Sequence, residues 1–205
     1  GADVLDGTWA IWSRLGIPDN LQVDNAMSFL GSPRYPRALS QFVRLCLLHA
    51  VEPWFVPMAE PWRNGSVEQF NDHYQQKFLS KVFMTTPDEL TAGTMAFEQR
   101  HNSSYRYSKL GGKTPIKALS ASKATLRFPS PDDKPKQRLE KPEEGCYHLV
   151  RLIRSDLKLN ILGELFSVPP EAKLEYVVAT IDVKEQKLKL YLGKAQVEEF
   201  DYKIR

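Results

Sequence analysis

In the first half of the chain, apolar residues recur every three or four positions, the spacing of helices that bury one face. The pattern predicts helices near residues 5–15, 39–47, 65–82 and 86–100. Thr86 and Pro87 predict the start of the fourth, because a Thr side chain caps free helical amides and Pro suits the first helical position. The third helix is expected to turn four side chains inward: Val67, Phe70, Tyr74 and Phe78.

Two short apolar runs between these helices predict β-strands. Leu21-Gln22-Val23 forms one and ends at Asp24. The other, residues 51–56, contains Pro53, which has no N–H to donate, so we interpret it as an edge strand. Glycine and prolines in residues 30–37 predict an irregular loop between them. Strands alternating with helices indicate an α/β segment.

The pattern changes in the last third of the chain. Prolines alternate with charged residues from Pro129 onward, which is typical of an extended linker. After Gly145, six short β-branched or aromatic runs separated by turns predict a small β-barrel. We therefore divide the chain into an α/β segment (1–125), a charged linker (126–144) and a β module (145–205).

Composition adds few constraints. The 205 residues are 42% hydrophobic and 26% charged, as in ordinary soluble proteins, and the net charge of +3 is too small to imply a nucleic-acid partner. The two cysteines form no disulfide framework, which favours a reducing compartment, and Cys46 is expected to be a small buried apolar residue. Neither a membrane-spanning run nor a signal peptide is expected. The histidines and cysteines lack zinc-ligand spacing.

Asp24 and Glu68 are the candidate catalytic residues. Asp24 follows a strand of the α/β segment, where ligand-binding crevices form, and Glu68 lies in the first turn of a helix. Two such carboxylates can hold hard cations such as Mg²⁺ for phosphoryl transfer. Each residue also has an ordinary interpretation, because Asp-Asn often makes a turn and a first-turn Glu often serves the helix dipole. Spacing alone does not decide between these interpretations.

Four motifs, at residues 15–18, 23–29, 61–70 and 100–115, resemble the catalytic core shared by DDE-type transposases and retroviral integrases. The segment from Val23 to Phe29 is similar to the strand end "DNG.xF" of that core, and the segment from Pro61 to Phe70 is similar to its "NGxxE" block. Leu15-Gly16-Ile17-Pro18 matches its usual "fGxP" entry. Arg100-His101-Asn102 and the segment 110–115 are similar to the tail of the core. Within this group the chain resembles the IstA-type transposases of bacterial insertion sequences, in which a small β domain also follows the core.

The resemblance implies a partial RNase H-like core, truncated at its N-terminal strands and followed by an SH3-like barrel. The parent would cleave and join DNA with two Mg²⁺ (or Mn²⁺) ions, and Asp24 and Glu68 would be the second and third catalytic carboxylates and metal ligands. Two departures are Ala26, where the family usually has Gly, and the longer loop at residues 30–37.

The family's first catalytic Asp has no counterpart here. The segment before Asp24 is too short for the strands that carry it, and Asp3 and Asp6 lie on or beside the first predicted helix rather than in a strand. We therefore expect this chain alone to be inactive, and expect the incomplete sheet to be compensated by oligomerisation or an altered fold. Alternatives are an inactive DNA- or protein-binding remnant of a mobile element and a related RNase H-like nuclease.

The resemblance also implies partners and a location. It implies DNA (element ends and target), self-association as a dimer or larger assembly, no membrane, and the nucleoid of a bacterial cytoplasm. A basic stretch from Arg106 to Arg127, with no acidic residue in it, suits phosphate contact, although a solvated surface explains it equally well. The mixed charges of the β module suit contact with either DNA or protein. The candidate DNA-binding residues are Arg63, Asn64, Gln69, Asp72, Gln75, Arg106, Lys109, Lys113 and Lys117.

Overall fold

The computed structural model describes residues 2–58, 60–123, 125–130, 132, 134–135 and 138–205, without the side chains of Ala2, Pro61 and Asn64. The helices in these ranges are α1 (Ala2–Leu15), α2 (Gln41–Leu48), α3 (Gly65–Lys77), α4 (Pro87–Ser104) and α5 (Pro115–Ser120). The strands are β1 (Asn20–Val23), β2 (Glu52–Phe55), β3 (Cys146–Leu152), β4 (Lys158–Ile161), β5 (Glu164–Ser167), β6 (Tyr176–Asp182), β7 (Lys187–Leu192) and β8 (Ala195–Asp201). The protein is therefore a mixed α/β fold.

One six-stranded sheet contains strands from both ends of the chain. Its order is β1-β2-β3-β6-β7-β8, and β4 and β5 form a separate antiparallel pair. The first three strands run parallel, and β3, β6, β7 and β8 pair antiparallel. The strands predicted in the last third of the chain are confirmed, but β3 pairs with β2 as well as with β6. The C-terminal strands thus continue the sheet begun by β1 and β2.

The prediction that residues 51–56 form an edge strand is wrong. β2 lies between β1 and β3. The amides of Glu52 and Val56 donate to carbonyls on the β1 side, those of Asp19 and Val23, so position 53 turns its nitrogen toward β3. Pairing with β3 includes only Trp54 and Phe55. Pro53 therefore lies in an interior strand without interrupting a ladder hydrogen bond.

The chain forms two compact units, one of residues 1–64 and 126–205, and one of residues 65–125. These units have different bounds from the segments predicted from the sequence, because the sheet joins β1 and β2 to the C-terminal strands. The predicted segment boundaries stay predictions. Part of the predicted linker, including residues 131, 133, 136 and 137, lies outside the described residues.

Two apolar clusters form the core of the first unit. One lies on the sheet and includes Phe55, Leu149 and Ile181, all completely buried. The other forms where α1 packs on α2 and includes Trp12 and Leu45. The predicted first two helices are thus confirmed. Cys46 is buried as expected, and burial raises the pKa of its thiol far above the usual value.

The second unit is a group of helices around aromatic side chains. Rings from α3 and α4 contact one another, and Tyr74 shares a 2.7 Å hydrogen bond between its hydroxyl and Thr94 Oγ1. Thr86 caps α4 as predicted and accepts the amide of Glu89, whose side chain accepts the amide of Thr86 in return. The predicted third helix is too long, because α3 ends at Lys77. Val67 is 60% exposed rather than on an inner face.

Candidate functional site

Asp24 lies directly after β1, at the carboxyl end of the parallel pair β1–β2. Its side chain is exposed, and its Oδ1 accepts the amide of Ala26 at 2.9 Å. The amides of Phe29 and Leu30 then donate to the Ala26 carbonyl, which closes a second turn. Oδ1 of Asp24 therefore takes part in the turn that the Asp-Asn pair ordinarily indicates. Within the described residues, Oδ2 makes no hydrogen bond and remains able to bind another group.

Asn25 anchors this turn to the sheet. Its Nδ2 donates to the carbonyl of Val56 at 2.6 Å, just after β2. Its Oδ1 accepts from Arg151 Nη2 at 2.8 Å. Nη1 of Arg151 donates to the carbonyls of Val56 at 3.3 Å and Val150 at 2.9 Å. Asn25, the residue after the candidate catalytic Asp, is thus held both by the chain just after β2 and by Arg151 of β3.

Phe29 fixes the far side of the loop that follows Asp24. Its ring packs against both core clusters and meets the Phe42 ring edge-on, with 4.9 Å between centroids. Its carbonyl accepts a hydrogen bond from the Ser40 hydroxyl, and Ser40 caps α2 by accepting the amide of Val43. The aromatic position of the strand-end motif therefore has a structural role, which is to pin the loop to the core.

Glu68 lies in the first turn of α3 and is exposed. Ser66, in the same turn, accepts a hydrogen bond from Lys109 Nζ at 3.2 Å, which brings a predicted DNA-binding lysine to the turn that carries Glu68. Three further predicted residues lie exposed along the same helix: Gln69, Asp72 and Gln75. Asp24 belongs to the first compact unit and Glu68 to the second.

Arg63 is held immediately before α3 by a buried carboxylate. Its Nε donates to Glu60 Oε2 at 2.7 Å, while Glu60 Oε1 accepts the hydroxyl of Tyr176, a β6 residue, at 2.6 Å. The Arg63 guanidinium also lies over the Tyr176 ring, 4.4 Å from its centroid. The hydrogen bonds from Tyr176 and Arg63 hold the pKa of Glu60 below its usual value. Arg63 is therefore fixed by contacts within the first unit. The side chain of Asn64 lies outside the described residues.

The predicted basic stretch lies mainly on the surface of the second unit. Arg106, Lys109, Lys113 and Lys117 are all exposed there. Arg127, at the end of the same stretch, has a structural role instead. Its guanidinium donates to the carbonyls of Pro18 and His49 and pairs with Asp19 at 3.2 Å.

Sequence reasoning missed three residues around the candidate site: Glu60, Arg151 and Tyr176. Arg151 had a recognisable signal, because it takes the inward-facing phase of β3 between Leu149 and Ile153, where apolar side chains belong. Glu60 and Tyr176 had no such signal in the sequence, because the hydrogen bond between them depends on the order of strands in the sheet.

A groove of about 580 Å³ borders this end of β2 and is lined in part by Gln22, Trp54 and Arg63.

Comparison with protein-family models and with curated proteins found no match. Among the described residues, no three His, Cys, Asp or Glu side chains are grouped as a metal-ligand set. In the same part of the chain, no helix combines the length and apolar character needed to cross a bilayer.

His148 lies in β3, next to β2, and its surroundings predict that the stability of the first unit depends on pH. Its Nδ1 contacts Thr180 Oγ1 at 2.9 Å, its Nε2 contacts Glu52 Oε2 at 3.1 Å, and its ring stacks on Trp54. Burial lowers the pKa of His148 below its usual value, although Glu52 acts in the opposite sense. His101 in the second unit also has a lowered pKa, because of burial and the neighbouring His73.

We expect the protein to lose stability as the pH falls from about 7.5 to about 5.5. Below the ordinary histidine pKa, the unfolded chain binds protons that folded His148 and His101 do not yet bind, so acid favours unfolding. The loss is at most about 1.4 kcal/mol per pH unit for each histidine. Urea unfolding at both pH values measures it, and His148→Gln should flatten the dependence. Equal or greater stability at the lower pH would contradict this expectation.

Proposed function

We propose that this chain is part of a DNA transposase or integrase of the DDE type, whose parent cleaves and joins DNA strands by metal-dependent phosphoryl transfer. Asp24 and Glu68 would be two of its catalytic carboxylates. The proposal rests on the motif resemblance together with one structural observation. Asp24 lies exposed at the carboxyl end of a parallel strand pair, and Asn25 clamps its turn to the end of β2 and to Arg151 of β3.

This observation favours a functional carboxylate over a simple turn. Carboxyl ends of parallel strands are where open α/β sheets bind ligands. A turn alone needs only the hydrogen bond from the Ala26 amide to Asp24 Oδ1. The additional clamp through Asn25 limits how far the Asp24 backbone can move, which is what a group that must hold a ligand in a fixed geometry requires.

The donor chemistry of the site fits Mg²⁺ or Mn²⁺. Asp24 and Glu68 both offer exposed carboxylate oxygens, the ligand type that hard divalent cations prefer. When bound, two such ions would supply electrostatic stabilisation of the attacking and leaving oxygens of the phosphodiester. Lys109, hydrogen-bonded to the first turn of α3, and the exposed Arg106, Lys113 and Lys117 would bind backbone phosphates of DNA.

At the level of fold, we propose that β1, α2 and β2 are part of an RNase H-like core. The parallel β1–β2 pair connected through α2 is consistent with that assignment. We assign the C-terminal strands to an SH3-like barrel whose first strand, β3, has joined the sheet of the core. DNA ends and target DNA remain the proposed partners, with self-association of the chain.

Calorimetric titration of the complete 205-residue chain with Mn²⁺ tests the proposal. We expect binding in the wild type and at least a 10-fold loss of affinity in both Asp24→Asn and Glu68→Gln, because each removes one carboxylate that the proposal makes a metal ligand. Asp19→Asn is the matched control, since Asp19 is an exposed carboxylate that precedes β1. Its affinity for Mn²⁺ should equal that of the wild type.

Two other results of the Mn²⁺ titration would contradict the proposal. Loss of binding in only one of the two variants would show that Asp24 and Glu68 do not share a metal, and would contradict the proposed site. No binding by the wild-type chain would favour the alternative, a DNA- or protein-binding remnant of a mobile element without catalytic function. The exposed basic residues of the second unit would then be the surface to test for DNA binding.

A further inference from the structure

Arg151 is the most unusual buried charge in the described part of the chain. The residue is 7% exposed, and none of its hydrogen-bond partners there is a carboxylate. Its Nε is buried without any partner among the described residues. Burial lowers the pKa of the guanidinium to about 10, so it remains a cation at neutral pH. Buried charges ordinarily pair with an opposite charge, because leaving water is costly.

Packing does not explain an arginine at this position. Arg151 takes the inward phase of β3, and the neighbouring inward residues Leu149 and Ile153 are fully buried apolar side chains. An apolar residue of similar length would fill the same space without the desolvation cost, and such replacements of buried charges are often neutral or stabilising. What an apolar side chain cannot do is donate hydrogen bonds.

The hydrogen bonds of Arg151 converge on the strand ends around the candidate site. Nη2 binds Asn25 after β1, Nη1 binds the Val56 carbonyl after β2, and Asn25 Nδ2 binds the same carbonyl. Arg151 and Asn25 therefore close a three-membered network with Val56. Asn25 lies between Asp24 and Ala26, the two residues that the hydrogen bond of the turn joins. The network therefore fixes the backbone that carries the Asp24 carboxylate.

We infer that Arg151 is a positioning residue, through which the C-terminal strands hold the Asp24–Asn25 turn in the geometry needed for metal binding. The role in metal binding rests on the proposed function, whereas the hold of Arg151 on the turn rests on the hydrogen-bond geometry alone. It gives the C-terminal β module a role at the candidate site beyond contact with DNA or protein. Partners that orient metal ligands typically contribute 10- to 100-fold to metal affinity.

The test combines two measurements on the complete chain and its Arg151→Met and Asn25→Ala variants. The first is solvent exchange of the Ala26 amide by NMR without metal, which reports the hydrogen bond to Asp24 Oδ1. We expect exchange at least 10-fold faster in both variants, with the double variant no faster than either, since both changes break one network. The amide of Leu190, in the buried part of β7, should be unaffected.

The second measurement is Mn²⁺ affinity, which should fall 10- to 100-fold in Arg151→Met. Arg154→Met, an exposed arginine just after β3, is the matched control and should change neither quantity. A well-folded Arg151→Met with unchanged Ala26 exchange would overturn the inference, as would faster exchange without weaker Mn²⁺ binding. If Arg151→Met does not fold, Asn25→Ala applies the same criteria to the network.

The two proposals fail separately. If the wild-type chain binds no Mn²⁺, the proposed metal site fails, but Ala26 exchange still decides whether Arg151 holds the turn. If wild-type binding depends on Asp24 and Glu68 while Arg151→Met leaves it intact, the proposed function stands and the positioning role of Arg151 is wrong.

Discussion

Replacing Leu149 by alanine is expected to lower the free energy of unfolding by about 2–5 kcal/mol, the range for Leu→Ala at fully buried sites. Leu149 is completely buried in β3, where it pairs with Phe55 of β2 on one side and with Ala179 of β6 on the other. The shortened side chain would leave a cavity in the cluster that joins the N-terminal and C-terminal strands. Urea denaturation measures the loss.

Tryptophan fluorescence makes this experiment specific to the shared sheet. All four tryptophans precede Gly65, so their fluorescence reports the N-terminal segment, whereas Leu149 belongs to the C-terminal strands. Because one sheet contains both, the unfolding followed by fluorescence should shift as far as that followed by circular dichroism. Leu152→Ala, a 41% exposed leucine in the same strand, is the control and should change stability by about 0.5 kcal/mol or less. A shift in the circular dichroism alone would contradict the shared core.

Trp12→Ala is expected to have a comparable effect, a loss of about 3–5 kcal/mol. The Trp12 side chain is buried in the cluster that holds α1 on α2, and its ring meets the edge of His49 at 5.6 Å between centroids. Alanine favours helix formation slightly more than tryptophan does, so the loss reflects packing rather than helix propensity. Urea denaturation followed by circular dichroism is the measurement, since the substitution removes one of the fluorescent side chains.

Ile11→Ala is the matched control in the same helix, because Ile11 is 52% exposed. Its stability should stay within about 0.5 kcal/mol of the wild type. If Trp12→Ala were equally mild, α1 would not be docked on α2 in solution. In that case α1 would contribute nothing to the stability of the first unit.

The local sequence determined most helices and strands of this protein. Apolar residues at helical spacing gave α1 and α2, and Thr86 with Pro87 gave the start of α4. Short β-branched or aromatic runs separated by turns gave the C-terminal strands, and Asp24 was correctly placed at the end of a strand. These features were predictable because helix caps, helical periodicity and strand composition depend on residues within a few positions of one another.

The candidate site was predicted only in part, for the same physical reason. The positions of Asp24 and Glu68 on their own elements follow from local signals, and so does the exposure of the basic side chains in the second unit. The partners that hold the site do not. Arg151 reaches Asn25, and Tyr176 reaches Glu60, across more than a hundred residues of chain. Such contacts arise only from the order in which strands assemble.

The sequence by itself thus determined the elements and the residues capable of chemistry, whereas the tertiary structure decided how the strands combine. Proline in β2 predicted an edge strand, yet β2 lies inside the sheet. The sheet tolerates Pro53 there because its nitrogen faces β3, which pairs with β2 only from Trp54 onward. Val67 matched an inward helical position, yet it is exposed. Periodicity gives a side chain its face on an element, but only the packing of distant elements determines whether that face is covered.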